Sequence, residues 1–185
     1  MNAGVKIERM SGAEALRRGL VPAIDAIFFD TAARTYEQGP ERDAFRERWL
    51  GRFLDHPPDP LLVASTATGE VAGYLVGTLE NAAESPRFHD MAHFRTEFRA
   101  QCARFPAHLH INLAAPFRGR GIGARLVADF AAIVSAAGLP GLHVTTGRGM
   151  RNVGFYLANG FQEVGAWQRE AGAMLFLGRP SRTDQ

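Results

Sequence analysis

The 185-residue sequence predicts an α+β, or mixed α/β, domain built around one sheet. Three observations predict it. An apolar strand-like run, Leu109 to Ala115, feeds directly into the glycine-rich stretch Arg118-Gly119-Arg120-Gly121-Ile122-Gly123-Ala124, and that stretch feeds a helix-like run. Two β-rich runs, Leu61 to Ser65 and Val71 to Leu79, are joined by Thr66-Ala67-Thr68-Gly69-Glu70, a hairpin signal with Gly near its tip. Further helical and strand-like runs follow in alternation, without an internal repeat, a low-complexity tract or a linker.

Taken in order, Val5 to Met10 alternates apolar and polar residues as a short first strand. Ser11 is placed to cap a helix, with Glu14 completing a capping-box pattern. Leu20 to Ala33 is apolar enough for a helix. Thr35 to Leu54 forms a second helical zone, interrupted near Gly39-Pro40, with Phe45, Trp49 and Phe53 repeating every four residues as a core-packing stripe. His56-Pro57-Pro58-Asp59-Pro60 ends it. After the hairpin comes a polar loop from Asn81 to Arg87. Phe88 to Arg104 has Met91, Phe94 and Phe98 at helical spacing and predicts a surface helix. In the strand Leu109 to Ala115, His108, His110 and Asn112 alternate with Leu109, Ile111 and Leu113. Ile122 to Ala137 is the clearest helix, with Ile122, Leu126, Phe130 and Val134 on one stripe and Gly138 with Pro140 as the stop. Leu142 to Thr146 is a buried strand, Asn152 to Ala158 a short helix ended by Asn159-Gly160, and Ala173 to Leu177 a closing strand.

Composition narrows the function classes. The length suits one domain, residues 1–185, burying roughly two-thirds of its unfolded surface. A net charge of +2 without a lysine-rich or aromatic-interleaved patch points away from nucleic acid. Cys102 is the single cysteine, which excludes an internal disulfide and any multi-cysteine metal site and fits a cytoplasmic home. Met1 to Met10 lacks a signal-peptide core, and no apolar run approaches the ~18 residues of a membrane span. His89 and His93, four apart, have the spacing of two metal ligands but no partner set, so no metal is expected and a polar surface or acceptor-side reading is preferred.

The glycine stretch carries the chemistry. Gly adopts positive φ and leaves no Cβ in the way, so successive N–H groups can converge on a phosphate. A helix start adds unpaired donors and the positive dipole end. Arg118 and Arg120 add charge and phosphate-matched donor forks.

Two motifs in this part of the chain resemble the GCN5-related N-acetyltransferase (GNAT) superfamily, whose acyl donor is acetyl-CoA. Leu113-Ala114-Ala115-Pro116-Phe117-Arg118-Gly119-Arg120-Gly121-Ile122-Gly123 looks like its cofactor signature, and Gly154-Phe155-Tyr156-Leu157-Ala158-Asn159-Gly160-Phe161 like its second motif. More narrowly, His108-Leu109-His110-Ile111-Asn112-Leu113 and Leu175-Phe176-Leu177-Gly178-Arg179 look like the acetyltransferase-like domains of some O-GlcNAc hydrolases and their free-standing bacterial relatives.

The resemblance implies a central, mostly antiparallel sheet splayed at the cofactor site and flanked by helices. It implies that the pantetheine arm pairs with the backbone from Leu113 to Ala115, with the Leu113 N–H toward the thioester oxygen. The pyrophosphate would lie on the amides of Gly119, Gly121, Ile122, Gly123 and Ala124, with Arg118 and Arg120 nearby. Tyr156 would be the general acid for the leaving thiolate. Asn152, one turn earlier, would bond the pantetheine amide, although the family's polar residue often lies where this chain has Gly149. His110 is the candidate base, on a strand where a bulge would change which side chains share its face. The resembling domains often carry Asp where this chain has Asn112, which cannot take a proton. The acceptor is a small-molecule or peptide amine, and a homodimer is allowed.

Two other readings stay open at this point. Gly119-x-Gly121-x-x-Ala124 satisfies a relaxed dinucleotide-binding pattern, but no acidic residue ends the next strand to hold a ribose. An acetyltransferase-like interaction module without turnover is the other.

Overall fold

Val5–Met10 forms β1 and pairs antiparallel with β2, Leu61–Thr66, from Val5↔Thr66 to Met10↔Leu61. The structure, a computed structural model, describes residues 4–56 and 59–181; within the helix-ending run, Pro57 and Pro58 lie outside the described residues. Ser11 caps α1, Gly12–Arg17, its hydroxyl accepting the Glu14 N–H at 3.2 Å. That bond is one arm of a capping box, while the Glu14 carboxylate lies 3.6 Å from Arg18.

The expected helix to Ala33 is α2, Val21–Asp30. It stops where the Thr31 hydroxyl takes the carbonyls of Ile27 and Phe28, each at 2.9 Å, competing with a further backbone turn. The second helical zone starts at Pro40 rather than Thr35. Gly39, at φ +141°, turns the chain, and Pro40 opens α3, Pro40–Arg46. This helix widens into a π turn over Glu47–Gly51 and closes as α4, Arg52–Leu54. The segment before Pro40 is an irregular loop whose Tyr36 stacks on Phe45 of α3 at 4.2 Å, while Arg42 of α3 lies over the Phe29 ring of α2 at 3.6 Å.

β3, Val71–Thr78, returns antiparallel to β2 through a turn whose Gly69 has φ +86°. Every residue of β3 is buried. The expected surface helix from Phe88 to Arg104 is a correction. The chain instead makes two short 3₁₀ turns, Pro86–Phe88 and Ala92–Phe94, and only then α5, Arg99–Arg104. Met91, Phe94 and Phe98 are at most 1% exposed. Their spacing is helix-like, but they serve a core, and tight turns let all three point inward.

β4, Ala107–Leu113, leads to a 3₁₀ turn at Ala115–Phe117, the glycine stretch and α6, Ile122–Ala136. Gly138, at φ +73°, follows the helix end. Next come β5, Gly141–Gly147; α7, Asn152–Ala158; β6, Gln162–Trp167; and β7, Met174–Pro180. The strands hydrogen-bond in the order β1-β2-β3-β4-β5-β7-β6. The registered pairs of β4 with β5 are parallel, while β1-β2, β2-β3, β5-β7 and β6-β7 are antiparallel, so the sheet is mixed but mostly antiparallel.

The chain folds as two compact units, Met1–Gly77 with His110–Phe130, and Thr78–Leu109 with Ala131–Gln185. The first packs Ile24, Leu50, Leu61, Leu62, Leu75 and Leu126 out of water. The second is built on aromatic and imidazole rings: His108 lies 4.7 Å from His143, which stacks on Phe176 at 4.3 Å and faces Phe94 at 5.5 Å. His108 and Leu109 are both fully buried, so β4 has no solvent-facing polar side at its start. The His143 Nδ1 is held 2.5 Å from the Phe105 carbonyl. Among the described residues no helix is long and apolar enough to cross a membrane.

Candidate active site

In the first unit, Gly119 and Gly121 both take positive φ, +72° and +76°. Alternating left-handed glycines turn the backbone N–H groups of the stretch toward a common side, the geometry of an anion nest. A Cβ on Gly119 would meet nothing within 4 Å, so the space above the loop is open. The first α6 amide to close a backbone bond is Arg125, which donates to the Gly121 carbonyl at 3.2 Å. The amides of Ile122, Gly123 and Ala124 therefore precede the helical ladder, and no acidic residue sits in the first turn to compete for them. This arrangement fits a phosphate.

The two arginines of the stretch behave differently. Arg118 turns inward: its Nε donates to the Leu113 carbonyl at 3.0 Å, and its Nη2 lies 3.7 Å from Asp30 of α2. It ties the end of β4 to the loop. Arg120 is exposed, its guanidinium 5.8 Å from the Phe117 ring. Ala115 is exposed at the start of the 3₁₀ turn, and Leu113 is half-buried.

β4 is registered against β5 at Ala107↔Leu142 and His108↔His143, and the backbone from His110 to Leu113 belongs to the first unit. On its β3 side the chain is held closely. A Cβ on Gly73 would press on the Leu113 side chain and come within 2.7 Å of the Asn112 carbonyl oxygen. Glycine at 73 is what lets β4 approach here.

His110 lies between two aromatic rings, edge-on to Trp49 at 5.2 Å and to Phe53 at 5.4 Å. Burial, reinforced by the positive charge of Arg52, pushes its pKa down from 6.5 to about 4. It is neutral at physiological pH. Asn112 donates from Nδ2 to the Tyr74 hydroxyl at 2.8 Å. Burial raises the pKa of Tyr74; the Asn112 bond opposes that, the Asp25 charge adds to it and Arg46 opposes it. Asp25 and Arg46 form an ion pair, Nε to Oδ1 at 2.8 Å, with both side chains about a quarter exposed, at 27% and 26%. Sequence reasoning missed Tyr74, Asp25 and Arg46. Tyr74 stands out as a polar-tipped residue in the middle of an apolar strand, but nothing local links Asp25 to Arg46 across 21 positions.

In the second unit, Tyr156 of α7 is 5% exposed, packed edge-on to Phe155 and Phe161, each at 5.3 Å. Burial raises its pKa, so the phenol stays protonated at every working pH. No group among the described residues bonds its hydroxyl. Asn152, a turn earlier and exposed, accepts from the Thr146 hydroxyl at 2.9 Å through Oδ1, which leaves its Nδ2 as a free donor. Thr146, at the end of β5, had no sequence signal. Gly149 has φ +82° and open space around it, a turn position without a polar side chain. His89 is exposed and His93 buried against Phe94 and Trp167, so the two share no face. The predicted residues thus form two groups: His110, Leu113, Ala115 and Arg118 to Ala124 in the first unit, Asn152 and Tyr156 in the second.

The family model described as the acetyltransferase (GNAT) family matches residues 23–161, spanning every residue of both groups. The chain belongs to the GNAT acetyltransferase family. It transfers acetyl groups, and acetyl-CoA is its donor. Solved GNAT structures share the fold. A GCN5-related N-acetyltransferase from Kribbella flavida is 19% identical, with a TM-score of 0.63 over 97% of this chain and 99% of that one. A ribosomal-protein-alanine N-acetyltransferase from Brucella melitensis is 23% identical, with a TM-score of 0.61 over 95% and 99%. A GNAT superfamily phosphinothricin acetyltransferase from Sinorhizobium meliloti, solved with acetyl-CoA, is 17% identical, with a TM-score of 0.63 over 96% and 88%.

Proposed function

We propose that the chain works as one catalytic domain that moves the acetyl group of acetyl-CoA directly onto the amine of a small molecule or peptide. The observation that carries the reading is the open nest at Gly119 and Gly121, placed at the start of α6 inside the matched GNAT region. On this reading the amides of Gly119, Gly121, Ile122, Gly123 and Ala124 hold the pyrophosphate. Arg118 shapes the loop from behind, and Arg120 contributes attraction from the rim. The backbone from Leu113 to Ala115 leads into the nest and takes the pantetheine arm, with the Leu113 N–H polarising the thioester carbonyl. The free Nδ2 of Asn152 bonds the arm.

In the chemical step the amine nitrogen bonds the acetyl carbon, the C–S bond breaks, the sulfur leaves as a thiolate and the amine gives up one proton. Tyr156 supplies a hydrogen bond, and on product formation a proton, to the sulfur. Its raised pKa keeps the donor in place but makes full proton transfer uphill, so stabilising the developing thiolate is its main contribution. His110, neutral with a pKa of about 4, accepts a hydrogen bond from the incoming amine, but is too weak a base to keep its proton. That proton passes to solvent.

Direct transfer is favoured over an acetyl-cysteine intermediate. Cys102 is fully buried, and burial pushes its thiol pKa up to about 12. The same lone, inert cysteine supports a cytoplasmic assignment, and the small net charge supports a non-nucleic-acid acceptor.

Tyr156→Phe tests the assignment of the donor. It is expected to lower kcat about tenfold to hundredfold while leaving calorimetric acetyl-CoA affinity within a factor of two or so. Equal turnover in the two proteins removes Tyr156 from the mechanism, and absence of acetyl-CoA binding to the wild-type protein removes the enzyme reading altogether.

A further inference from the structure

The first unit contains a polar cluster that the transfer step does not use. Four elements contribute to it: Asp25 from α2, Arg46 from the end of α3, Tyr74 from β3 and Asn112 from β4. Two features give it a direction. Arg46 is engaged through Nε alone, to Asp25 at 2.8 Å, and among the described residues this carboxylate is its only hydrogen-bond acceptor. The two terminal nitrogens are not among the enclosed polar atoms, so they present a solvent-reachable fork whose plane is fixed from behind by Asp25. Asn112 is likewise engaged through one end. Its Nδ2 is spent on Tyr74, so its Oδ1 is left as an acceptor in the half-exposed part of β4.

A guanidinium fork with four uncommitted N–H donors matches a carboxylate. An amide oxygen matches an amine N–H. Asp25 and Arg46 both act electrostatically on Tyr74, which bonds Asn112, so the anion-binding and amine-binding ends belong to one connected set. The π turn over Glu47–Gly51 follows Arg46 directly and carries Trp49, which packs on His110, two residues before Asn112. One wall of the site is therefore aromatic, and the His110 imidazole on it is uncharged at neutral pH. A purely cationic polyamine would meet Arg46 as a like charge. A zwitterion would not.

We propose that the acceptor is a small amine that also carries a carboxylate, an amino-acid-like molecule whose carboxylate docks on the Arg46 fork while its amine is held by the Asn112 side-chain Oδ1. Arg46 is then the residue that sets acceptor specificity, and Asp25 positions it. The proposal rests on the acetyltransferase reading above.

The test is a panel of L-amino acids, each paired with its decarboxylated amine and its methyl ester, assayed by CoA release with the full chain and saturating acetyl-CoA. The carboxylated member of at least one pair is expected to have a KM tenfold or more below its partners. Arg46→Gln should raise that KM roughly tenfold to hundredfold with little change in kcat and erase the preference within the pair. Arg46→Lys, which keeps the charge without the fork, should restore part of it. Asp25→Asn should weaken the preference without abolishing it. Calorimetry with acetyl-CoA should give the same affinity for all four proteins, which separates acceptor recognition from a misfolded or donor-deficient variant. If acetyl-CoA binds but no carboxylated amine is preferred, or if Arg46→Gln slows every amine equally, the proposal is overturned and the acetyltransferase reading stands. If acetyl-CoA does not bind the wild-type protein, both fall.

Discussion

Replacing His110 by Phe should flatten the acid limb of the protein's stability curve. The imidazole lies between Trp49 and Phe53 with Arg52 acting on it, and its pKa falls from 6.5 in the unfolded chain to about 4 in the folded one. Below pH 6.5 the unfolded chain binds a proton that the folded protein refuses. Folding is therefore fully supported above 6.5 and loses stability as pH falls toward 4, where the loss levels off. The gap between 6.5 and 4, at about 1.4 kcal/mol per pH unit, limits the loss to about 3 kcal/mol, of which about 2 has accrued by pH 5.

His110→Phe keeps an aromatic ring in the same slot and removes the titration. Urea denaturation of both proteins at pH 7.5, 6.5, 5.5 and 5.0 would read the difference directly, since other titrating groups cancel between them. The variant should gain on the wild type by about 2 kcal/mol between pH 7.5 and 5. An NMR titration of the wild-type imidazole should place its midpoint below 5. Parallel stability curves, or a midpoint near 6.5, would refute the depressed imidazole pKa. They would also reopen His110 as a base of ordinary strength.

Three further substitutions probe the frame around the site. Gly73→Ala should destabilise the protein by about 3 kcal/mol and cut turnover, because the added Cβ would press on Leu113 and the Asn112 carbonyl; chemical denaturation and steady-state rates check both. Gly119→Ala has room for its Cβ but must hold φ +72°, so it should cost about 1 kcal/mol and weaken acetyl-CoA binding, read by denaturation and calorimetry. Thr146→Val frees the Asn152 amide to rotate and should lower acetyl-CoA affinity about threefold to tenfold, with the melting temperature nearly unchanged.

What was legible in the sequence was what local chemistry writes. Glycines at 119 and 121, a 15-residue helix with a clean apolar stripe and the Asn159-Gly160 stop all act through neighbours along the chain, and all lie where the pattern puts them. What was hidden depends on contacts between distant segments. Phe88 to Arg104 has helical spacing, yet Phe94 and Phe98 are spaced to reach His108, His143 and Phe176. β6 escaped notice because Gln162 and Glu163 are exposed and only one neighbour, β7, pairs with it, so it never needed an apolar alternation. The Asp25–Arg46 pair has no sequence signature, since only the packing of two helices brings the charges together.

The two buried tyrosines show why burial alone does not mark a catalytic group. Tyr74 and Tyr156 both have raised pKa values, and in both burial is the leading cause. A phenol taken out of water still needs a hydrogen-bond partner, and an unmet one costs about 1–3 kcal/mol. Tyr74 meets that need with Asn112 and is completely enclosed, which makes it part of the frame. Tyr156 buries its ring between Phe155 and Phe161 and leaves its hydroxyl without a bond among the described residues. The ring is rigidly held while the hydrogen-bonding tip stays open, and its proton is retained at all working pH values. A donor held in that way loses little freedom when a charge develops beside it, which is the condition for stabilising a transition state more than a ground state.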